Sequence, residues 1–181
     1  MYQMIHSKLT IYLFAGYAAP FALENTVMKR LSAPLCALAL LALANNATAA
    51  QAPQLNNAQA NQVIASVQST LKTQNSFGCV AVVDSSGTLL AFQRFDGSPL
   101  GCVDASIGKA RASALYRAPT LKFMQRLQNG EITVLSIPHV VALGGGYPLT
   151  LNGEVVGAVG VSTPKQEIDN QASQTAAGAL K

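Results

Sequence analysis

Side chains that commonly carry out catalysis are scarce after position 50 of this sequence. His139 is the only histidine there, which excludes a metal site built from several histidines. Neither a C-x-x-C motif nor a G-x-S-x-G nucleophile motif occurs. The glycines at 144–146 lack the Lys and Ser/Thr that follow them in a phosphate-binding loop, so we interpret them as a tight bend before Tyr147. Without a recognisable acid/base pair, the residues favour a binding domain over an enzyme.

The N-terminal part of the sequence carries the pattern of an export signal. Lys29 and Arg30 precede an uncharged apolar run at 31–44, and Ala-Thr-Ala follows at 47–49. A basic start, an apolar centre and an A-x-A cleavage site define a secretory signal peptide. The apolar run is shorter than the roughly 20 residues of a membrane-spanning helix. The pattern predicts a signal peptide at 28–50 that is removed, and no stable membrane anchor.

The rest of the sequence divides around that signal. Residues 1–27 fit no part of it, and we interpret them as a mis-assigned extension before a start at Met28; the alternative is a longer, two-part N-terminus that reaches the membrane. Residues 51–181 are then one exported domain, secreted or periplasmic. It carries nine Lys and Arg against seven Asp and Glu. This small excess predicts no nucleic-acid partner.

Two cysteines, Cys79 and Cys102, remain after the signal peptide is removed. In an oxidising compartment an even pair can form a disulfide. The alternative is two free, half-buried thiols, because sequence does not place their Cα atoms within bonding distance. Both interpretations stay open at this point.

The spacing of apolar residues predicts the elements that position these side chains. A first helix ends near Gln74, and its apolar face is Ala60, Val63, Ile64, Val67 and Leu71. Strands are predicted at 79–84, 89–95, 140–143, 147–151 and 154–161. Asn152-Gly153 is typical of a type I′ hairpin turn between the last two. This order of elements indicates one α+β domain with an antiparallel sheet flanked by helices.

Three further helices are expected in the second half of the chain. Asp104 can cap a second helix, on which we expect Lys109 and Arg111 to face solvent. Thr120 can cap a short third helix after Pro119. A last helix is expected to begin at 163–166 and to run to about position 180.

Three stretches of the sequence resemble the signature stretches of the GlcG/HbpS-like heme-binding family. They are VAVVDSSGTLLAFQRFDGS at 80–98, GKARASALYRAPT at 108–120 and ALGGGYPLTLNGEVVGAVGVS at 142–162. The resemblance extends over nearly all of 55–180, and it departs from the family at Thr163-Pro164. It implies a five-stranded antiparallel sheet with helices, homo-oligomers, and binding of heme or a related tetrapyrrole in secreted members.

Within that family, the resemblance assigns heme contact to the threonine of Ala-Pro-Thr, which is Thr120 here. Threonine is an uncommon iron ligand, whereas His, Tyr, Met and Cys are usual. The competing candidates are therefore His139, Tyr116, Tyr147 and Met124, each of which also has a purely structural interpretation. Thr120 and His139 remain as alternative ligands of the heme iron.

The charged candidates of the same motif are Arg117 and Lys109, which could pair with heme propionates. Tyr116, Phe123 and Met124 could cover an apolar macrocycle. The sequence thus predicts an exported protein that captures, buffers or senses heme. The alternatives are an enzyme-like module that holds a small organic acid with Arg94 or Arg117, and an oligomeric scaffold.

Overall fold

The computed structural model describes residues 52–180, which contain four strands and four α-helices. The predicted extension and signal peptide lie outside these residues. The strands are β1 (Cys79–Asp84), β2 (Leu89–Arg94), β3 (Gly146–Leu151) and β4 (Glu154–Ser162). The helices are α1 (Asn57–Thr73), α2 (Cys102–Tyr116), α3 (Leu121–Gln128) and α4 (Gln166–Gly178), with a 3₁₀ helix at Ile132–Ser136. The strands form one antiparallel sheet in the order β2-β1-β4-β3.

The expected fifth strand is wrong, because residues 140–143 belong to no sheet. His139 has a φ of +60°, and the Val140 N–H donates to the Ile137 carbonyl at 3.2 Å, which closes a turn. Ala142 is buried in a small cluster with Phe123 and Val134. The apolar character of the segment therefore reflects packing against α3 and the 3₁₀ helix.

The main core lies between the sheet and the helices α1 and α4. Asn56 and Gln59 form a capping box at the start of α1, in which each side chain accepts the other residue's backbone N–H at 2.9–3.0 Å. The buried face of α1 is the predicted one: Ala60, Val63, Ile64, Val67 and Leu71. It packs with Val80, Val82, Leu149, Val159 and Ile168 from the sheet and α4.

Helix α2 covers the opposite face of the sheet. Its Ala110 and Ala114 pack on Ala81 and Ala158, and these small side chains let the helix approach closely. At Gly160 of β4, a Cβ atom would collide with the Ser106 carbonyl of α2. The described residues thus form three layers, with α2 on one side of the sheet and α1 and α4 on the other.

The structure decides the cysteine question that the sequence left open, and it confirms one predicted turn. Cys79 and Cys102 form a disulfide with a Cα–Cα distance of 5.4 Å, so the bonded alternative is the observed one. It joins the start of β1 to the start of α2. Asn152 and Gly153 have φ values of +52° and +82°, as the predicted type I′ hairpin turn requires.

Within 52–180, no helix is long and apolar enough to cross a membrane.

Candidate binding site

A cleft of about 510 Å³ opens at β3, an edge strand of the sheet. We call it the β3 cleft. Its walls come from the α2–α3 turn, the β3–β4 hairpin and the C-terminal half of α4: Arg117, Pro119, Tyr147, Pro148, Thr150, Val155, Gln174, Ala177 and Gly178. Small-molecule sites in proteins typically have volumes of about 300–1,000 Å³. The cleft therefore has the size of a ligand site.

Arg117 supplies the only charged side chain of the β3 cleft. It ends α2 in the left-handed conformation, with a φ of +50°, and its N–H donates to the Ala114 carbonyl. The side chain is exposed. Among the described residues the ion pairs are Lys109–Asp169 and Arg126–Glu131, so no carboxylate neutralises Arg117 there. The guanidinium is available to an anionic ligand.

Tyr147 lines the same cleft from β3, directly after the glycine bend. Its ring is half-buried against the main core. The bend agrees with our interpretation of the glycines: Gly145 has a φ of +108°, and a Cβ there would lie 2.7 Å from the Val161 carbonyl oxygen. Backbone packing thus accounts for the glycine at this position and orients Tyr147.

Thr120 does not cap α3 with its side chain, which corrects the expectation from sequence. The residue is 0% exposed, and its Oγ1 accepts a hydrogen bond from the Gly146 N–H at 2.8 Å. The Thr120 N–H donates to the Gly146 carbonyl at 3.0 Å. Thr120 therefore holds the α2–α3 turn against β3, two walls of the cleft, and does not itself line it.

Lys109 is buried, contrary to the solvated position expected from sequence. It is 3% exposed, and its Nζ donates to Asp169 Oδ2 at 2.7 Å and to the Val161 carbonyl at 3.0 Å. Asp169 Oδ1 accepts from the Thr163 N–H at 2.7 Å. Burial raises the pKa of Asp169, while the nearby Lys109 ammonium and the Thr163 hydrogen bond oppose that rise. Lys109 therefore joins α2 to α4 and does not line the β3 cleft.

The remaining candidates form a separate group beyond the end of α2. The Tyr116 hydroxyl donates to the Pro138 carbonyl at 2.7 Å, and its ring meets Phe123 edge-on at 5.5 Å. His139 follows Pro138 and is exposed, and Met124 is half-buried on α3. None of these four predicted contact residues, Tyr116, Phe123, Met124 and His139, lines the β3 cleft. Of the predicted site residues, the cleft brings together Arg117 and Tyr147.

Sequence reasoning missed the α4 wall, which consists of Gln174, Ala177 and Gly178. These residues are far from the motifs in sequence, and they reach the site because α4 packs on β3 and β4. Pro148 carried a usable signal, because a proline within a strand indicates a sheet edge. The described residues contain no group of three or more His, Cys, Asp or Glu that could hold a metal ion directly.

The lining residues combine one cation, one phenol and apolar walls, without a carboxylate. Arg117 can pair with an anionic group, and the Tyr147 and Thr150 hydroxyls and the Gln174 amide can bind polar atoms. Pro119, Pro148, Val155 and Ala177 supply apolar surface. This arrangement suits a partly apolar ligand with at least one negative charge.

The match to a known protein family covers nearly all of the described residues. The sequence model of the family described as "Haem degrading protein HbpS-like" matches residues 55–178. Protein GlcG of Escherichia coli K12 is 34% identical over 108 residues, which are 60% of this chain and 81% of that protein.

Two crystal structures share the fold. A double mutant of Streptomyces reticuli HbpS is 25% identical, with a TM-score of 0.66, and the match covers 92% of this chain and 99% of that one. A complex of PduOC with heme is 23% identical, with a TM-score of 0.65 and coverage of 71% and 96%. At that identity, the second structure shows likeness of fold.

Proposed function

The chain belongs to the HbpS-like family, and we propose that it is an exported protein that binds heme, or a related tetrapyrrole, in the β3 cleft. The observation that carries the proposal is that Arg117 and Tyr147 line the same cleft of about 510 Å³. The family's description names heme, and a protein of the same fold, PduOC, is known in complex with it. These likenesses support heme as the class of ligand, and the lining of the cleft supports the cleft as its position.

The lining residues fit the parts of a heme. Propionates are carboxylates, which a guanidinium such as that of Arg117 binds well. A macrocycle requires apolar walls, which Pro119, Pro148 and Val155 provide. Tyrosine is a known ligand type for heme iron, and Tyr147 lies among these walls.

In this proposal the chain orients and shelters the group. Bound heme would supply the redox and ligand-binding chemistry of its iron. Arg117 fixes the propionate end, and the proline and valine walls exclude water from one face. A protein with these properties captures, buffers or senses heme.

The disulfide supports the exported part of the proposal. Structural disulfides form in oxidising compartments and are rare in the cytosol. Cys79 and Cys102 are bonded and nearly buried, with 0% and 4% exposure. This agrees with the signal-peptide pattern and favours a secreted or periplasmic protein.

Titration of purified protein with hemin tests heme binding. We expect a Soret band that saturates at one heme per chain. Arg117→Gln should weaken binding by about tenfold, because it removes the cation of the cleft. The matched control is Arg111→Gln, on an exposed position of α2 outside the cleft. Absence of a saturable Soret change in the wild-type protein would overturn the proposal.

A small organic acid is the second candidate ligand, favoured by the unpaired cation in the cleft. Arg117 could hold its carboxylate, whereas the guanidinium of Arg94 donates to the Ser98 carbonyl at 2.9 Å. Competition separates the two ligands: an acid that occupies the cleft with high affinity displaces hemin. The third alternative, an oligomeric scaffold, requires a stable homo-oligomer, which the resemblance implies and which sedimentation measures.

A further inference from the structure

The candidate iron ligands of the usual types are four side chains of the described residues, and only one of them lies in the β3 cleft. Tyr147 lines the β3 cleft, whereas His139, Tyr116 and Met124 do not. Thr120, the ligand implied by resemblance, is fully buried. A ligand to the iron of a heme in this cleft has to come from the cleft wall.

The two tyrosines differ in what their hydroxyls already bind. The Tyr116 hydroxyl donates to the Pro138 carbonyl at 2.7 Å. None of the hydrogen bonds among residues 52–180 uses the Tyr147 hydroxyl. Coordination by Tyr147 therefore breaks no hydrogen bond of the fold, while coordination by Tyr116 would leave the Pro138 carbonyl without that donor.

The backbone at Tyr147 and just before it is fixed. The Gly146 N–H and carbonyl are bound to Thr120, and the Gly145 carbonyl accepts from the Val161 N–H at 2.9 Å. Tyr147 itself pairs with Val159 of β4. A ligand on a strand with these constraints is held in a defined orientation, as a metal ligand must be.

We infer that Tyr147 would supply the protein ligand to the heme iron in this chain, and that Thr120 is a positioning residue that fixes the start of β3. The inference rests on the proposed function. The phenolic oxygen donates an electron pair to the ferric iron, and its proton passes to solvent, so the oxidation state of the iron does not change. Arg117, the one cation of the cleft, pairs with a propionate.

The test compares ferric hemin complexes of the full chain and three variants. Wild-type protein is expected to show iron–phenolate vibrations in the resonance Raman spectrum. Tyr147→Phe should lose these vibrations and bind hemin about tenfold more weakly or worse. Tyr116→Phe is the matched control and His139→Ala the rival variant; both should keep the wild-type spectrum. Circular dichroism of each variant checks that it is folded.

The outcomes separate this inference from the proposed function. If hemin binds but Tyr147→Phe keeps the wild-type spectrum, Tyr147 is not the ligand while heme binding stands. If only His139→Ala loses the wild-type spectrum of the hemin complex, the iron ligand is His139, beyond the end of α2, and the inference is wrong. If wild-type protein binds no hemin, the proposed function itself fails.

Discussion

Thr120 and Gly146 form two hydrogen bonds in opposite directions: the Gly146 N–H donates to the Thr120 hydroxyl at 2.8 Å, and the Thr120 N–H donates to the Gly146 carbonyl at 3.0 Å. Removal of the hydroxyl would leave the buried Gly146 N–H without a partner. We therefore expect Thr120→Val, which keeps the shape of the side chain, to lower the free energy of unfolding by about 1–3 kcal/mol. Urea denaturation measures this.

Thr120→Ser is the control for that variant, because it keeps the hydroxyl. It should lie closer to the wild type in stability and keep heme affinity, while Thr120→Val should weaken heme binding by moving the start of β3. Equal stabilities of the Val variant and the wild type would show that the hydroxyl contributes nothing.

The buried Lys109–Asp169 pair predicts a pH-dependent defect. In Lys109→Met, Asp169 keeps its buried surroundings without the opposite charge, so its pKa rises further above the ordinary 3.8. A folded pKa above the unfolded value gives stability that is present below the unfolded pKa and lost as pH rises through the folded pKa. The variant should therefore be about 3–5 kcal/mol less stable than the wild type near neutral pH.

Below about pH 4 that difference should shrink, because the carboxyl of the variant is then neutral. Urea denaturation at neutral and acid pH measures both values. Lys122→Met, on an exposed position of α3, should show no such pH dependence. A Lys109→Met defect that is constant with pH would contradict the assignment to Asp169.

The disulfide predicts both a thiol count and a stability. Denatured, unreduced protein that begins at Gln51 should show no free thiol on labelling. Replacing Cys79 and Cys102 with serine should cost about 2–4 kcal/mol of unfolding free energy, since the unfolded chain is no longer cross-linked. Detection of two thiols per chain would contradict the bond.

The processing site remains a prediction from sequence alone. From the Ala-Thr-Ala pattern we predict that exported protein begins at Ala50 or Gln51. Intact-mass measurement of secreted or periplasmic protein gives this end directly. Recovery of peptides from before Met28 would rule out the proposed start.

Local patterns predicted α1 and the β3–β4 hairpin because neighbouring residues determine them. The buried face of α1 follows from its apolar spacing, and the hairpin turn from Asn152-Gly153. The predicted strand at 140–143 was wrong because a short apolar run packs equally well in a sheet or against a helix. Tertiary packing decides between these, and sequence spacing does not record it.

The site was predicted only in part for the same reason. Arg117 and Tyr147 belong to separate motifs, and the packing of the α2–α3 turn against β3 brings both to one cleft. Lys109 was placed in solvent because a charged side chain on a helix usually lies there. Its partner Asp169 is 60 positions away, so no residue near Lys109 in the sequence indicates the buried pair.

The start of β3 offers little to a further strand at its outer edge. The Gly145 carbonyl points to β4, so by alternation the groups of Gly146 and Pro148 point away from it. Thr120 occupies both groups of Gly146, and Pro148 has no N–H to donate. Neither Gly146 nor Pro148 therefore has a free N–H for an added strand, so the start of β3 is protected from edge-to-edge pairing with another chain.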